Sequence, residues 1–341
     1  MTELLRVAVD IGGTFTDTVL MRGSGTVAAT AKTLTTHADP ADGALAGVQD
    51  ALRIADARMD QVTGFVHGTT LATNALIERR GAGTAVIATE GFRDVLEIAY
   101  ERRHSQYDID LEKPDYLVPR SRCFTVPERI SGHGEVLKPL DESAVLGLIA
   151  ALDACGAEAV AICLLHAYAN PVHEQRLAAL LRDARPGLAI SISSEVSPEA
   201  REFDRTCTTV CNAYVQPMMS RYLGDFAQAF ADAGLRCTVL MMTAGGGMTT
   251  LETARRYPIR LVESGPAGGA LLAARTAQAC GAGQVLSLDI GGTTAKLCLI
   301  DKGRPHCRSH RRDRGVVLRH GRHHRQAVPD RRLSPSNRAQ V

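Results

Sequence analysis

The sequence predicts an α/β protein built as two related lobes that grip one nucleotide from opposite sides. Three observations carry that expectation. The pentapeptide Asp10-Ile11-Gly12-Gly13-Thr14 recurs as Asp289-Ile290-Gly291-Gly292-Thr293, and each copy follows an apolar strand and precedes a second strand. Short apolar strands alternate with helical stretches along most of the chain, which is the rhythm of sheets covered by helices. The composition, 45% apolar with 4% aromatic and no Trp in 341 residues, suits a globular chain with a substantial core.

In each copy of the pentapeptide two glycines allow a tight turn whose backbone N–H groups converge on anionic oxygens with no Cβ in the way. The following Thr adds a hydroxyl donor. Gly12, Gly13, Thr14 and Thr16, with Gly291, Gly292 and Thr293 in the second copy, are therefore candidate phosphate contacts. Asp10 and Asp289 end their incoming strands and are placed to hold Mg2+, directly or through water, because Mg2+ takes few protein carboxylates and keeps its waters. One such motif alone also reads as an ordinary strand turn; the matched second copy supplies the specificity. The segment Phe15 to Leu20 alternates like a strand and does not open a helix, and no Gly-x-x-x-x-Gly-Lys-Ser/Thr is present. A P-loop and a Rossmann fingerprint are thus excluded. The pattern belongs to the actin/hexokinase-like (ribonuclease H-like) two-lobe ATPase fold, whose two hairpin phosphate loops face each other across a cleft.

Along the chain, Pro40 to Ala57 reads as a helix, Phe65 to His67 as a short strand and Thr73 to Arg79 as the start of a helix. Thr84 to Ala88 is a strand, Gly91 to Ala99 a helical turn, residues 108–122 Pro-rich and irregular, and Cys123 to Glu128 a strand. Glu142 to Cys155 and Pro171 to Ala184 read as helices around the buried strand Ala157 to Leu165, and Leu188 to Ser193 as the next strand. A long helical stretch from Pro198 to Ala233 is expected to break near Pro217, since Pro lacks the helical N–H. Strand Cys237 to Met242, the glycine run at Gly245, Gly246 and Gly247, and a helix Ala270 to Cys280 precede the second hairpin. The lobe boundary is placed between Ser193 and Pro198, giving lobes of 1–193 and 194–303 and a tail of 304–341.

Ser264-Gly265-Pro266-Ala267-Gly268-Gly269 opens that last helix. Its first N–H groups have no helical partner, and its glycines let backbone approach a ligand, so Ser264, Gly265, Gly268, Gly269, Gly245 and Gly246 join the nucleotide candidates. A capped helix packed tightly on the sheet is the alternative reading.

The net charge of +2 conceals a split: residues 1–303 hold 28 basic and 35 acidic residues, a net of −7, while 304–341 hold 11 Arg, no Lys and two Asp, a net of +9. Nine Cys without a Cys-x-x-Cys pair read as reduced structural thiols. The start lacks a basic and apolar leader, and no run approaches the ~18 apolar residues of a spanning helix, so the expected location is cytoplasmic.

The stretch His67-Gly68-Thr69-Thr70-Leu71-Ala72-Thr73-Asn74-Ala75-Leu76-Ile77-Glu78-Arg79, followed by Thr89 to Ile98, resembles the A subunit of the hydantoinase/5-oxoprolinase family. Phe124 to Arg129, Leu165 to Pro171, Asn212 to Pro217 and Ser264 to Gly269 extend the similarity over about residues 5–302. The resemblance implies ATP-dependent ring opening of a cyclic amide, a hydantoin or 5-oxoproline, by phosphorylation of the ring carbonyl oxygen, together with a B-type subunit. It also implies a second option, the acetone carboxylase type, which uses the same ATP site for another acceptor; an inactive ATP-binding module is the third. His67, Thr69, Thr70 and Asn74 lie where a strand passes into a helix, the usual place of a ligand crevice, and are expected to face substrate or the transferred phosphoryl group. A core or helix-capping role is the alternative for His67. His104 and Tyr107 are further cleft candidates, while Arg79 and Arg80 read as a solvated helix end.

Past Gly303 the similarity is expected to stop. The 11 Arg and five His of residues 304–341 show no sustained periodicity. A basic nucleic-acid arm would ordinarily mix Lys with Arg, so out-of-frame translation of a GC-rich gene is the favoured reading, with the second lobe begun but incomplete and the tail disordered.

Overall fold

The computed structural model describes residues 4–36, 39–100, 115–290 and 295–306. The chain folds into two compact units, divided between Ala267 and Gly268.

The first unit starts with β1 (Leu5–Ile11), β2 (Phe15–Arg22) and β3 (Val27–Leu34), then α1 (Pro40–Ile54), β4 (Val62–Thr69) and α2 (Leu71–Ile77). Strict alternation makes β1 a half-buried strand: Leu5, Val7, Val9 and Ile11 point inward and Arg6, Ala8 and Asp10 outward. Helix α1 begins where the Asp39 side chain accepts the Ala41 N–H, and Pro40 occupies its first turn. Next come β5 (Thr84–Thr89), α3 (Val95–Ile98), β6 (Cys123–Val126), β7 (Arg129–Ile130), β8 (Val136–Lys138), α4 (Ser143–Ala154), β9 (Ala159–Cys163), α5 (Val172–Ala184), β10 (Ala189–Ile192) and α6 (Ser193–Val196). The unit is completed by α7 (Glu202–Asp232), β11 (Val239–Met242), β12 (Met248–Thr250) and α8 (Leu251–Arg256).

Two sheets result. One runs β12-β11-β4-β1-β2-β3, an antiparallel meander β3-β2-β1 to which β4 and β11 add in parallel. This mixed sheet is consistent with the actin/hexokinase-like ATPase fold expected from the sequence. The other, β10-β9-β5-β6, is wholly parallel, and β9 is buried at every position. Helices α4 and α5 cover one of its faces through Leu148, Leu152, Leu177 and Leu181.

Helix α7 joins the sheets. Its Val210 and Ala213 pack against Val86, Ala159 and Ala161 of the parallel sheet, whereas Val215, Met219, Leu223, Phe226 and Phe230 pack against Val7, Val9 and Phe65 of the other. Packing against two different sheets leaves the helix without a single apolar stripe, and that packing carries the chain through Pro217 without the expected break. The same packing ties later residues to the first sheet: strand β11 pairs with β4, and the two compact units divide at 267/268.

Helix α9 (Ser264–Ala279) runs across the division into the second unit, where β13 (Gln284–Ile290), β14 (Ala295–Asp301) and β15 (Arg304–His306) form an antiparallel meander. Ile11 pairs with Thr16 and Ile290 with Ala295, so the duplicated hairpins share one register. Leu286, Leu288, Leu297 and Leu299 of this sheet are 46–60% exposed. Strand β15 corrects the expected start of a structureless tail at residue 304; the rest of the tail lies outside the described residues. Among the described residues no helix is long and apolar enough to cross a membrane, and the eight described cysteines are free thiols.

Candidate active site at the carboxyl ends of β1, β4 and β11

Strand β1 delivers Asp10 and then the turn Gly12-Gly13-Thr14. Its parallel partner β4 sets Gly68 beside Asp10 and Thr69 beside Ile11, and β11 ends with Met241 beside His67. Three loops therefore leave the same sheet edge, the topological position of ligand crevices in α/β proteins.

The first loop is braced from below. The Gly12 N–H closes the turn on the Phe15 carbonyl at 3.0 Å, and the Thr35 N–H donates to the Thr14 carbonyl at 3.0 Å. The Thr35 hydroxyl donates to the Gly12 carbonyl at 2.9 Å and lies 3.2 Å from the Thr16 hydroxyl. Thr16 is fully buried, so the expectation that it contacts a ligand is corrected: it supports the turn through Thr35. Gly13 and Thr14 remain at the surface.

The second loop grips the first. Both the Thr70 N–H and hydroxyl donate to the Ile11 carbonyl, at 3.1 and 3.3 Å, and Asn74 Nδ2 donates to the Thr70 hydroxyl at 3.3 Å. That amide nitrogen lies 3.5 Å from where a Cβ on Gly13 would sit. Gly68 is required for another reason: a Cβ there would lie 2.9 Å from Oδ1 of Asp10, whose carboxylate rests over the β4 backbone. The four residues expected to face substrate therefore separate. Thr70 and Asn74 adjoin the hairpin, but Thr69 is buried and accepts the Leu71 N–H at 3.2 Å. His67 is fully buried, with Nδ1 3.2 Å from the Val9 carbonyl and Nε2 2.6 Å from the Tyr222 hydroxyl, and burial holds its pKa at about 4. Its reading as a substrate-facing group is corrected in favour of a core histidine.

In the third loop Gly245 and Gly246 turn β11 into β12. Gly246 has φ +77° and donates to the Thr243 carbonyl at 3.0 Å, and the Ala244 N–H donates to the Arg260 carbonyl at 2.8 Å. From there the chain reaches Glu263, whose left-handed φ of +68° is held as its N–H donates to the Thr73 hydroxyl at 3.3 Å. Ser264 follows at the start of α9. It is 1% exposed, and among the described residues its hydroxyl has no hydrogen-bond partner. An orphan of that kind demands an explanation, and a ligand at the helix terminus supplies one. A Cβ on Gly265 would meet only open space.

Gly268, Gly269 and Asp289 belong to the second unit, where Asp289 is exposed and paired in register with Lys296. Gly291, Gly292, Thr293, His104 and Tyr107 lie outside the described residues. Arg79 and Arg80 are exposed as expected. Thr35, Gly68 and Glu263 were missed by sequence reasoning; Gly68 alone stood in a notable motif, and nothing local marks Thr35.

The Hydantoinase/oxoprolinase N-terminal region matches residues 6–184, and the Hydantoinase/oxoprolinase region matches residues 205–328. The chain belongs to the hydantoinase/oxoprolinase family. The second match continues past Gly303, where the similarity was expected to end. Caprolactamase subunit alpha of Pseudomonas jessenii is 33% identical over 308 residues, covering 88% of this chain and 44% of the relative. The 5-oxoprolinase of Saccharomyces cerevisiae is 28% identical over 342 residues, covering 88% and 26%. The nucleotide-free structure of an acetone carboxylase superposes with a TM-score of 0.79 at 26% identity, covering 89% of this chain and 44% of that one. This chain thus spans less than half the length of these relatives, two of which are described as ATP-dependent in their solved structures.

A polyphosphate fits these residues: Gly13 and Thr14 lie exposed in the turn, and the Ser264 hydroxyl, orphaned among the described residues, offers a further donor. Among the described residues no group of three or more His, Cys, Asp or Glu gathers for a metal. Asp10 at the strand end suits Mg2+ in its usual manner, with one carboxylate, waters and phosphate oxygens.

Proposed function

We propose that this chain is the ATP-binding part of an enzyme that opens a cyclic amide such as a hydantoin or 5-oxoproline, acting with a hydantoinase B-type subunit in the cytoplasm. The observation that carries the reading is the braced Gly12-Gly13-Thr14 turn beside Asp10. Bound there, ATP with Mg2+ supplies the phosphoryl group that converts an inert ring carbonyl oxygen into a leaving group. The Gly13 and Thr14 N–H groups and the Ser264 hydroxyl orient phosphate oxygens, with Gly265 leaving room for close approach. Asp10 holds the cation directly or through water, and Asp289 takes the same part in the second hairpin with Gly291, Gly292 and Thr293. Thr35, Thr70 and Asn74 keep the turn rigid, so that charge stabilisation needs no reorganisation during the reaction. The caprolactamase relative widens the acceptor class to lactams in general.

A second reading, ATP-dependent carboxylation of a ketone, is favoured by the superposition on acetone carboxylase. ADP release measured with a B-type subunit separates the two. Stimulation by hydantoin, 5-oxoproline or caprolactam supports the amidase; stimulation by acetone only with bicarbonate supports the carboxylase; and nucleotide binding without stimulation by any of them leaves a regulatory module.

A further inference from the structure

Asn212 to Pro217, one of the segments that carry the family resemblance, takes no part in the hairpin site. It lies on α7 and does different work. Asn212 Nδ2 donates to the Ser191 hydroxyl at 3.0 Å and to the Arg256 carbonyl at 3.2 Å, while its Oδ1 accepts the Ile259 N–H at 3.2 Å. Gln216 spans the same gap: its Oε1 lies 3.2 Å from the Ser191 hydroxyl and its Nε2 donates to the Arg256 carbonyl at 3.3 Å. Two amides thus fasten the end of α8 to strand β10, the edge of the parallel sheet.

The clamp shapes a cleft of about 670 Å³. Four arginines line it from three helices: Arg182 of α5, Arg221 of α7, and Arg255 and Arg256 of α8. Ser220, Arg221 and Gly224 share one face of α7 by helical spacing, and the Arg255 guanidinium lies along that face, 3.7 Å from where a Cβ on Gly224 would sit. Among the described residues Arg256 alone of the four is ion-paired, with Glu195. Arg255 Nε donates to the Ser220 hydroxyl at 3.4 Å. Among the described residues neither Arg182 nor Arg221 has a hydrogen-bond or ion-pair partner. Three guanidiniums without an ion-pair partner among the described residues thus line one opening whose lining holds no carboxylate, in a body whose net charge over residues 1–303 is −7.

Like charges held around one opening repel, and a bound anion relieves that repulsion. The volume falls in the range of small-molecule sites, about 300–1,000 Å³, and a planar guanidinium grips phosphate or carboxylate with two parallel bonds. We propose that this cleft is a binding site for a small, multiply charged anion bearing phosphate or carboxylate groups, held by Arg182, Arg221 and Arg255. It is built from other residues than the nucleotide site, and it stands whether or not that reading holds.

The test is calorimetric titration of the full chain, at low ionic strength, with pyrophosphate and separately with citrate. The comparison is with Arg182→Gln/Arg221→Gln and with Arg255→Gln. Both altered arginines of the double variant are without partners among the described residues, so its melting temperature should match the parent's. Because residues 304–341 carry 11 Arg of their own, the variants decide and not parental binding alone. The expected result is one site for at least one probe, weakened about tenfold or more for each guanidinium lost. The probe that binds more tightly identifies the ligand as phosphate-bearing or carboxylate-bearing. Equal affinity in parent and variants overturns the proposal. So does binding of an oligoglutamate peptide with neither small anion bound, which would make the cleft a protein-docking surface.

Discussion

Nε2 of His67 lies 2.6 Å from the Tyr222 hydroxyl, tying the centre of β4 to the centre of α7. A carbonyl oxygen only accepts, so the Nδ1 that faces Val9 carries the proton and Nε2 accepts from Tyr222. The ring also stacks on Phe226 with centroids 4.5 Å apart. The histidine of the family-like stretch thus pins the sheet edge that bears the hairpin to the helix behind it.

That burial predicts a pH dependence. His67 titrates near 6.5 when unfolded and at about 4 when folded, so between those values the unfolded chain binds more protons. Its contribution is fully present above pH ~6.5 and is lost as pH falls toward ~4, by about 3 kcal/mol in all. Denaturant unfolding across this window should show a shallower decline for His67→Gln than for the parent. Identical slopes would remove His67 from the account. Tyr222→Phe should cost about 1–3 kcal/mol at pH 8, because it leaves Nε2 buried without a donor.

A second stability prediction concerns Gly81. A Cβ at that position would overlap the Tyr214 ring and lie 2.6 Å from its carbonyl oxygen, which accepts the Ala82 N–H at 2.9 Å. Gly81→Ala should therefore destabilise by about 1–3 kcal/mol through overpacking. An unchanged melting temperature would show that α7 is free to shift.

Much of this was legible in the sequence, for reasons that differ by element. Ala157 to Leu165 reads as a buried strand because it is short and, Glu158 apart, apolar, and the duplicated hairpins read as a pair because register follows from turn length. Helix α7 misled because Arg205, Thr209 and Asn212 are buried in it alongside Phe226, which erases any apolar face, and because Pro217 reads locally as a breaker. For His67 the signal was present and unused. Phe65, His67 and Thr69 are two apart on one strand, and Phe65 faces the core, so His67 faces it as well. The brace from Thr35 and the contact between Glu263 and Thr73 are tertiary, 23 residues from Gly12 and 190 apart in sequence, beyond what any local pattern encodes.

The orphaned hydroxyl of Ser264 allows stability and binding to be separated. Ser264→Ala removes a buried, unsatisfied polar group and should leave the nucleotide-free chain as stable as the parent or more so, by up to about 1 kcal/mol. The same change should weaken ATP binding. Thermal melts with and without nucleotide check both halves; a less stable variant without nucleotide would reveal an internal partner for the hydroxyl.

The last prediction addresses the carboxylate beside the turn. Asp10→Asn keeps the shape of the side chain but removes the charge that Mg2+ requires, so ATP affinity should lose its dependence on Mg2+ while the melting temperature stays close to the parent's. Gly68→Ala reaches the same carboxylate from the neighbouring strand, since its new methyl would crowd Oδ1 at 2.9 Å and push Asp10 out of place. If Asp10 holds the cation, both variants should weaken Mg-ATP binding in calorimetry while binding of metal-free ATP changes little. An Asp10→Asn chain that binds Mg-ATP as tightly as the parent would end the assignment. A loss confined to Gly68→Ala would point instead to the backbone of β4 as the part that meets the ligand.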